Sequence, residues 1–131
     1  MANREVIVDS NVLIAYFHTE DAHHRRAVGE LKKYQSSRII LTEYVLLEVS
    51  TLLKQKIGTS RAQTIISTLL QTEQVEVLPS SQYFSGTLQT FLTSTDKHLS
   101  FVDTSLLVLS TDFLVITLDK KLASAIRRQQ R

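Results

Sequence analysis

No cysteine occurs among the 131 residues, which excludes a disulfide, a thiol nucleophile, a thiolate zinc site and an iron–sulfur cluster, and permits a reducing compartment. Glycine is scarce: with Gly29, Gly58 and Gly86 alone, neither a Walker loop nor a dinucleotide fingerprint can be built. The Gly-x-Ser-x-Gly elbow of α/β hydrolases is missing too. No apolar run approaches bilayer length and the N-terminus lacks the long apolar core of a signal peptide, so a soluble cytoplasmic chain with no membrane partner is expected. The 4 Tyr and 5 Phe are too scattered to read as a stacking platform for single-stranded nucleic acid.

What is present is an ordinary globular composition. A chain of 14.9 kDa with 43% hydrophobic residues buries roughly two thirds of its unfolded surface, so a single domain over 1–131 is expected, with a core that needs no staple. Net charge is +2, far from that of a dedicated nucleic-acid-binding arm. The distribution is less even. Lys120, Lys121, Arg127, Arg128 and Arg131 follow one another with no acid among them, a basic patch that either contacts phosphates or is a solvated helix face complementing the helix dipole.

Apolar periodicity alternates between short β-branched runs and helix-spaced stripes. Strands are predicted at 5–9, 38–41, 74–78 and 113–118. Helices are predicted from Ser10 to Phe17 and over 21–35, 42–56, 60–71, 80–93, 101–110 and 119–128. Gly58 closes one helix, Ser60 is expected to cap the next, and Pro79, the only proline, stops the third strand. Apolar strands separated by helices point to an α/β chain, a three-layer α/β/α sandwich with a central parallel sheet. In such sheets ligands gather beyond the carboxyl ends of the strands.

Two aspartates stand at that edge. Asp9 ends the Val6-Ile7-Val8 run and Asp119 follows Val115-Ile116-Thr117-Leu118; either could equally cap the helix that follows. Two further acids lie on apolar helix faces. Glu48 points between Val45 and Leu52, and Asp103 lies near Leu99, Leu106 and Leu107. A buried unpaired carboxylate costs several kcal/mol. No Lys or Arg occurs between Thr42 and Leu53 or between Phe101 and Val115, so the alternatives are a cation from elsewhere in the chain or a shared pocket holding a divalent ion. All-oxygen ligands favour Mg²⁺ or Mn²⁺, and such ions support phosphodiester hydrolysis. An aspartyl-phosphate mechanism would want a second Asp at position 11, where Asn11 stands.

Val-Asp-Ser-Asn-Val-Leu-Ile (8–14), the stretch from Thr42 to Glu48, Phe-Val-Asp-Thr-Ser (101–105) and Val-Ile-Thr-Leu-Asp-Lys-Lys-Leu (115–122) resemble, in order and spacing, the four acidic motifs of PIN-domain ribonucleases, closest to small prokaryotic toxins of the VapC type. The resemblance implies a metal-dependent endoribonuclease acting on RNA, frequent homodimerisation and a small antitoxin partner. Under it Asp9 and Asp103 are the principal metal ligands, and Glu48 and Asp119 complete the acidic site and help position water. Ser10 and Thr117 resemble the hydroxyl residues that flank such a site and orient carboxylates or water; within the basic patch, Lys120, Lys121, Arg127 and Arg128 are the candidate RNA contacts. PIN domains commonly add a short strand after the last motif, whereas here one helix follows Asp119. The rival reading is a catalytically idle PIN-like module that binds RNA or protein.

His18, His23, His24 and His98 do not form a zinc pattern, because the adjacent His23 and His24 point about 100° apart on a helix and cannot share a metal as an i, i+4 pair would. Glu20, Asp21, Asp96 and Asp112 read as turn or cap residues, and Glu43 as a first-turn acid suited to the helix dipole.

Overall fold

The computed structural model describes residues 5–130; residues 1–4 and Arg131, the last of the basic run, lie outside the described residues. Four strands, β1 (Glu5–Val8), β2 (Arg38–Thr42), β3 (Val75–Leu78) and β4 (Leu114–Ile116), form one parallel sheet in the order β3-β2-β1-β4. Register is set by Ile7 opposite Ile40 on one side and Val115 on the other. The Val6-Ile7-Val8 segment is wholly buried, as expected of a strand covered on both faces. Each such side chain stabilises the fold by about 1.5–3 kcal/mol.

Helices α1 (Ser10–Phe17) and α2 (His24–Lys32) link β1 to β2, and α3 (Glu43–Ile57) and α4 (Thr59–Gln71) link β2 to β3. Next come α5 (Phe84–Thr93) and α6 (Phe101–Leu109), before β4, and α7 (Lys120–Gln129) follows it. Parallel crossovers are right-handed, so α1 to α4 and the returning α5 and α6 cover opposite faces, giving the α/β/α sandwich. The chain moves from β1 to β2 and β3, then returns to lay β4 on the other side of β1. The topological switch lies between β1 and β4, so the residues leaving those two strands meet at the ligand edge. No strand follows β4 among the described residues.

Several predicted boundaries shift for local reasons. The helix predicted over 21–35 begins at His24, because the Asp21 carboxylate accepts the His23 backbone N–H at 2.8 Å and holds a turn there. Ser60 does not cap α4: Gly58, at φ 91°, serves as the junction itself, and the helix begins at Thr59. The helix expected over 80–93 splits into a 3₁₀ turn, Ser80–Gln82, and α5, with Tyr83 outside helical geometry between them. Thr42 ends β2 and caps α3, its hydroxyl accepting the Val45 N–H at 3.0 Å. Strand β4 stops at Ile116 rather than 118, because the Leu118 N–H turns to the Asn11 side chain at 3.1 Å.

Candidate active site

Asp9 leaves β1 at the switch point, where its backbone N–H still pairs with Ile116 O at 2.9 Å. As the cap of α1 it receives the Ser10 N–H on Oδ1 at 2.7 Å, while Oδ2 receives the Thr117 hydroxyl at 2.7 Å and the Asn11 amide at 3.3 Å. The carboxylate is thus both cap and junction between strands. Only 3% of Asp9 is exposed. Burial pushes its carboxyl up to about 6, the hydrogen bonds from Thr117 and Ser10 pull the other way, and the nearby charges of Asp103 and Glu48 raise it further.

Glu48 comes to this edge from α3. It accepts the Ser10 hydroxyl on Oε1 at 2.7 Å, so Ser10 ties β1's end to the helix-face acid. The same Ser10 oxygen lies 3.5 Å from Asp9 Oδ1, and a hydroxyl has one proton, so the shorter bond to Glu48 prevails. Asp103 sits in the first turn of α6, in a reciprocal capping box: its N–H donates to Ser100 Oγ, and its Oδ2 accepts the Ser100 N–H, each at 3.0 Å. Asp119 caps α7, its Oδ1 accepting the Lys121 N–H at 2.9 Å, and its own N–H donates to Thr117 Oγ1 at 3.0 Å. Thr117 therefore joins Asp9 to Asp119. Asp9 and Asp119 thus both cap the helices that follow them, and Thr117 links the two carboxylate residues.

Among the described residues none of the four acids makes an ion pair, and the pairs present are Glu30 with Lys33, Arg38 with Glu76 and Asp96 with Arg128. As the side chains stand, no group of three His, Cys, Asp or Glu among the described residues is close enough to hold a metal ion. The donor set nevertheless suits a hard divalent cation. Glu48 Oε2, Asp103 Oδ1 and Asp119 Oδ2 receive no hydrogen bond from described residues, and the buried Asp9 has no ion-pair partner among the described residues. Asp9, Glu48, Asp103 and Asp119 are the residues that would hold an ion, and all of them would do so only after side-chain adjustment.

A protein-family model matched residues 6–128, and its description is PIN domain. The chain belongs to the PIN domain family. No curated protein matched. Among solved structures, VapC20 of Mycobacterium tuberculosis, a Sarcin-Ricin loop cleaving toxin, superposes on this PIN domain with a TM-score of 0.76 at 19% identity, over 92% of this chain and 94% of that one. At that identity the likeness is one of fold.

The basic residues divide. Lys120 and Arg127 line a cleft with Asp119, whereas Arg128 lies 3.6 Å from Asp96 Oδ2 and Lys121 Nζ 3.3 Å from His98 Nδ1. His24 Nδ1 meets the Ala15 carbonyl at 2.8 Å, a packing contact between α1 and α2. Glu43, read as a dipole acid, also accepts the Ser80 N–H at 2.5 Å, which holds its carboxyl below the ordinary range. Asn11, which the sequence marked only as the residue that excludes an aspartyl-phosphate mechanism, links Asp9, Thr117 and Leu118; the signal for this role was a lone amide in the apolar run after Asp9. Sequence reasoning passed over Ser100, whose position three residues before Asp103 was the capping-box signal. No helix of the described residues is long and apolar enough to cross a membrane.

Proposed function

We propose that this PIN domain is a Mg²⁺- or Mn²⁺-dependent endoribonuclease and the toxin of a toxin–antitoxin pair, its residues 1–131 working as one nuclease domain. The observation that carries this reading is Asp9: a buried carboxylate, raised to about 6, with two further acids close by and no cation among the described residues. PIN domains are typically nucleases that use divalent metals, and the likeness to a toxin that cleaves the Sarcin-Ricin loop supports RNA as the substrate class.

When bound, the ion supplies Lewis acidity to the phosphodiester and lowers the pKa of a water. In hydrolysis the water oxygen bonds phosphorus, the P–O bond to one ribose breaks, and a proton reaches the departing oxygen. Asp9 and Asp103 hold the site. Glu48 and Asp119 accept from and orient the attacking water, and Ser10 and Thr117 fix the carboxylates from behind. An antitoxin would suppress the activity by covering this edge, and the working unit is a homodimer.

A second reading, a catalytically idle PIN-like module that binds RNA or protein, draws on the capping duties of Asp103 and Asp119. Purified chain incubated with total RNA in Mn²⁺ or in EDTA decides between them. Cleavage in Mn²⁺ that is lost in EDTA and in Asp9→Asn is expected; intact RNA with the parent chain in Mn²⁺ overturns the enzyme.

A further inference from the structure

Arg26 lies on α2, far before Asp119 in the chain, yet it lines one cleft of about 270 Å³ with Thr117, Asp119, Lys120, Ser124 and Arg127. Arg26, Lys120 and Arg127 are exposed and have no ion-pair partner among the described residues; Arg127 Nη2 donates to Ser124 Oγ at 3.1 Å. Of the four motif acids, Asp119 lines this cleft, and Thr117 on its wall is the residue whose hydroxyl holds Asp9. Arg127 also lines the adjoining cleft with Glu30, and that carboxylate is occupied by Lys33 at 3.1 Å.

From this juxtaposition we propose that Arg26, Lys120 and Arg127 form a seat for a backbone phosphate of RNA, placed beside Asp119, with Arg26 reaching in from α2 to clamp it. The inference rests on the proposed ribonuclease reading and specifies how its substrate is held. Four acids at the sheet edge repel a polyanion, so binding requires cations on the approach. Guanidinium groups suit the task because their planar fork matches two phosphate oxygens at once, which fixes orientation as well as charge. The neighbouring cleft along α7 shares Lys120 and Ser124 with this one and is less suited: Arg128 faces Asp96, Lys121 faces His98, and Asp96 itself lines it. The basic run therefore borders two clefts that meet at Lys120, of which the one completed by Arg26 and Arg127 receives the phosphate.

The test compares two double variants of the full chain, R26A/R127A and K121A/R128A, which remove equal charge from the two clefts. Binding of a short labelled single-stranded RNA is measured in EDTA by anisotropy across a salt series, with thermal melts as folding controls and Arg26→Lys as a charge-conserving variant. Loss of one phosphate contact makes the slope of log affinity against log salt shallower by about 0.7, the expectation for R26A/R127A, with several-fold weaker binding at low salt. K121A/R128A is expected to change the slope by less than half as much, and Arg26→Lys to keep the parent slope while losing affinity. Equal effects of the two double variants, an unchanged slope in R26A/R127A, or no RNA binding by the parent overturns the seat. Cleavage of the same RNA by the parent in Mn²⁺ is scored separately: RNA that binds with the predicted slopes but stays intact sinks the nuclease reading and upholds the seat.

Discussion

Thr117 Oγ1 donates a 2.7 Å hydrogen bond to Asp9 Oδ2 across 108 positions of sequence, joining the residues that leave β1 and β4. The same oxygen receives the Asp119 N–H at 3.0 Å, so one hydroxyl links two of the four motif acids. Removing it with Thr117→Val is expected to destabilise the metal-free protein by about 1–2 kcal/mol, since a half-buried bond to a charged group is lost and the Asp119 N–H loses its acceptor. It should also raise the Asp9 pKa further, because the Thr117 bond is what most strongly lowers it. Urea denaturation in EDTA reads the first effect and the pH dependence of that stability the second; Thr117→Ser should restore both.

The raised Asp9 pKa makes a signed prediction for the metal-free protein. A carboxyl at about 6 when folded and near its ordinary value of 3.8 when unfolded binds its proton more tightly in the native state. The stability it adds is full below the unfolded value and is lost as pH rises through the folded one. Between pH 5 and pH 7 the parent should lose about 1 kcal/mol relative to Asp9→Asn, which cannot titrate. Denaturation of both proteins in EDTA at several pH values measures this difference; a constant gap would show that Asp9 titrates at an ordinary value.

Asp103 has a capping duty that an amide can preserve, because the side-chain oxygen of Asn can still accept the Ser100 N–H. Asp103→Asn should therefore leave the Tm in EDTA unchanged or higher while abolishing RNA cleavage and most of the stabilisation by excess Mn²⁺. Ser100→Ala should do the opposite, lowering stability by about 1 kcal/mol with cleavage retained. Melts with and without Mn²⁺ separate the two; a clear loss of metal-free stability in Asp103→Asn with no change in the metal effect would assign Asp103 to structure alone.

His24 supplies a control outside the acidic edge. Its contact with the Ala15 carbonyl joins α2 to α1, so His24→Ala is expected to cost about 1 kcal/mol of stability and to leave both Mn²⁺ stabilisation and cleavage intact. Loss of the metal effect in this variant would give the histidine a place in the site.

Much of the architecture could be read from local pattern because its causes are local. An unbroken apolar run such as Val6-Ile7-Val8 is stable only where both faces are covered, so a buried parallel strand follows from composition alone. Gly58 marks a helix junction because its backbone adopts φ 91°, a region that a Cβ disfavours. Asp9 was legible as a strand-end acid, whereas Asp119 stands beyond the end of β4 at Ile116, and Glu48 and Asp103, expected to face the core, are only half-buried. The finer boundaries were not, since side chains such as Asp21 and Asn11 captured backbone N–H groups that periodicity assigns to regular structure.

Tertiary structure alone decided which of these residues meet. Strand order β3-β2-β1-β4 puts Thr117 against Asp9, the fold of α3 over the sheet edge brings Glu48 to Ser10, and the placement of α2 beside α7 sets Arg26 next to Arg127. The four basic residues, equivalent in sequence, were divided the same way, Arg128 meeting Asp96 while Arg127 stays free of ion pairs among the described residues. Periodicity reports which side of an element is apolar, a property of neighbours one to four residues apart. Partners across the fold depend on crossover handedness and strand pairing, which act over distances in sequence that no local pattern encodes.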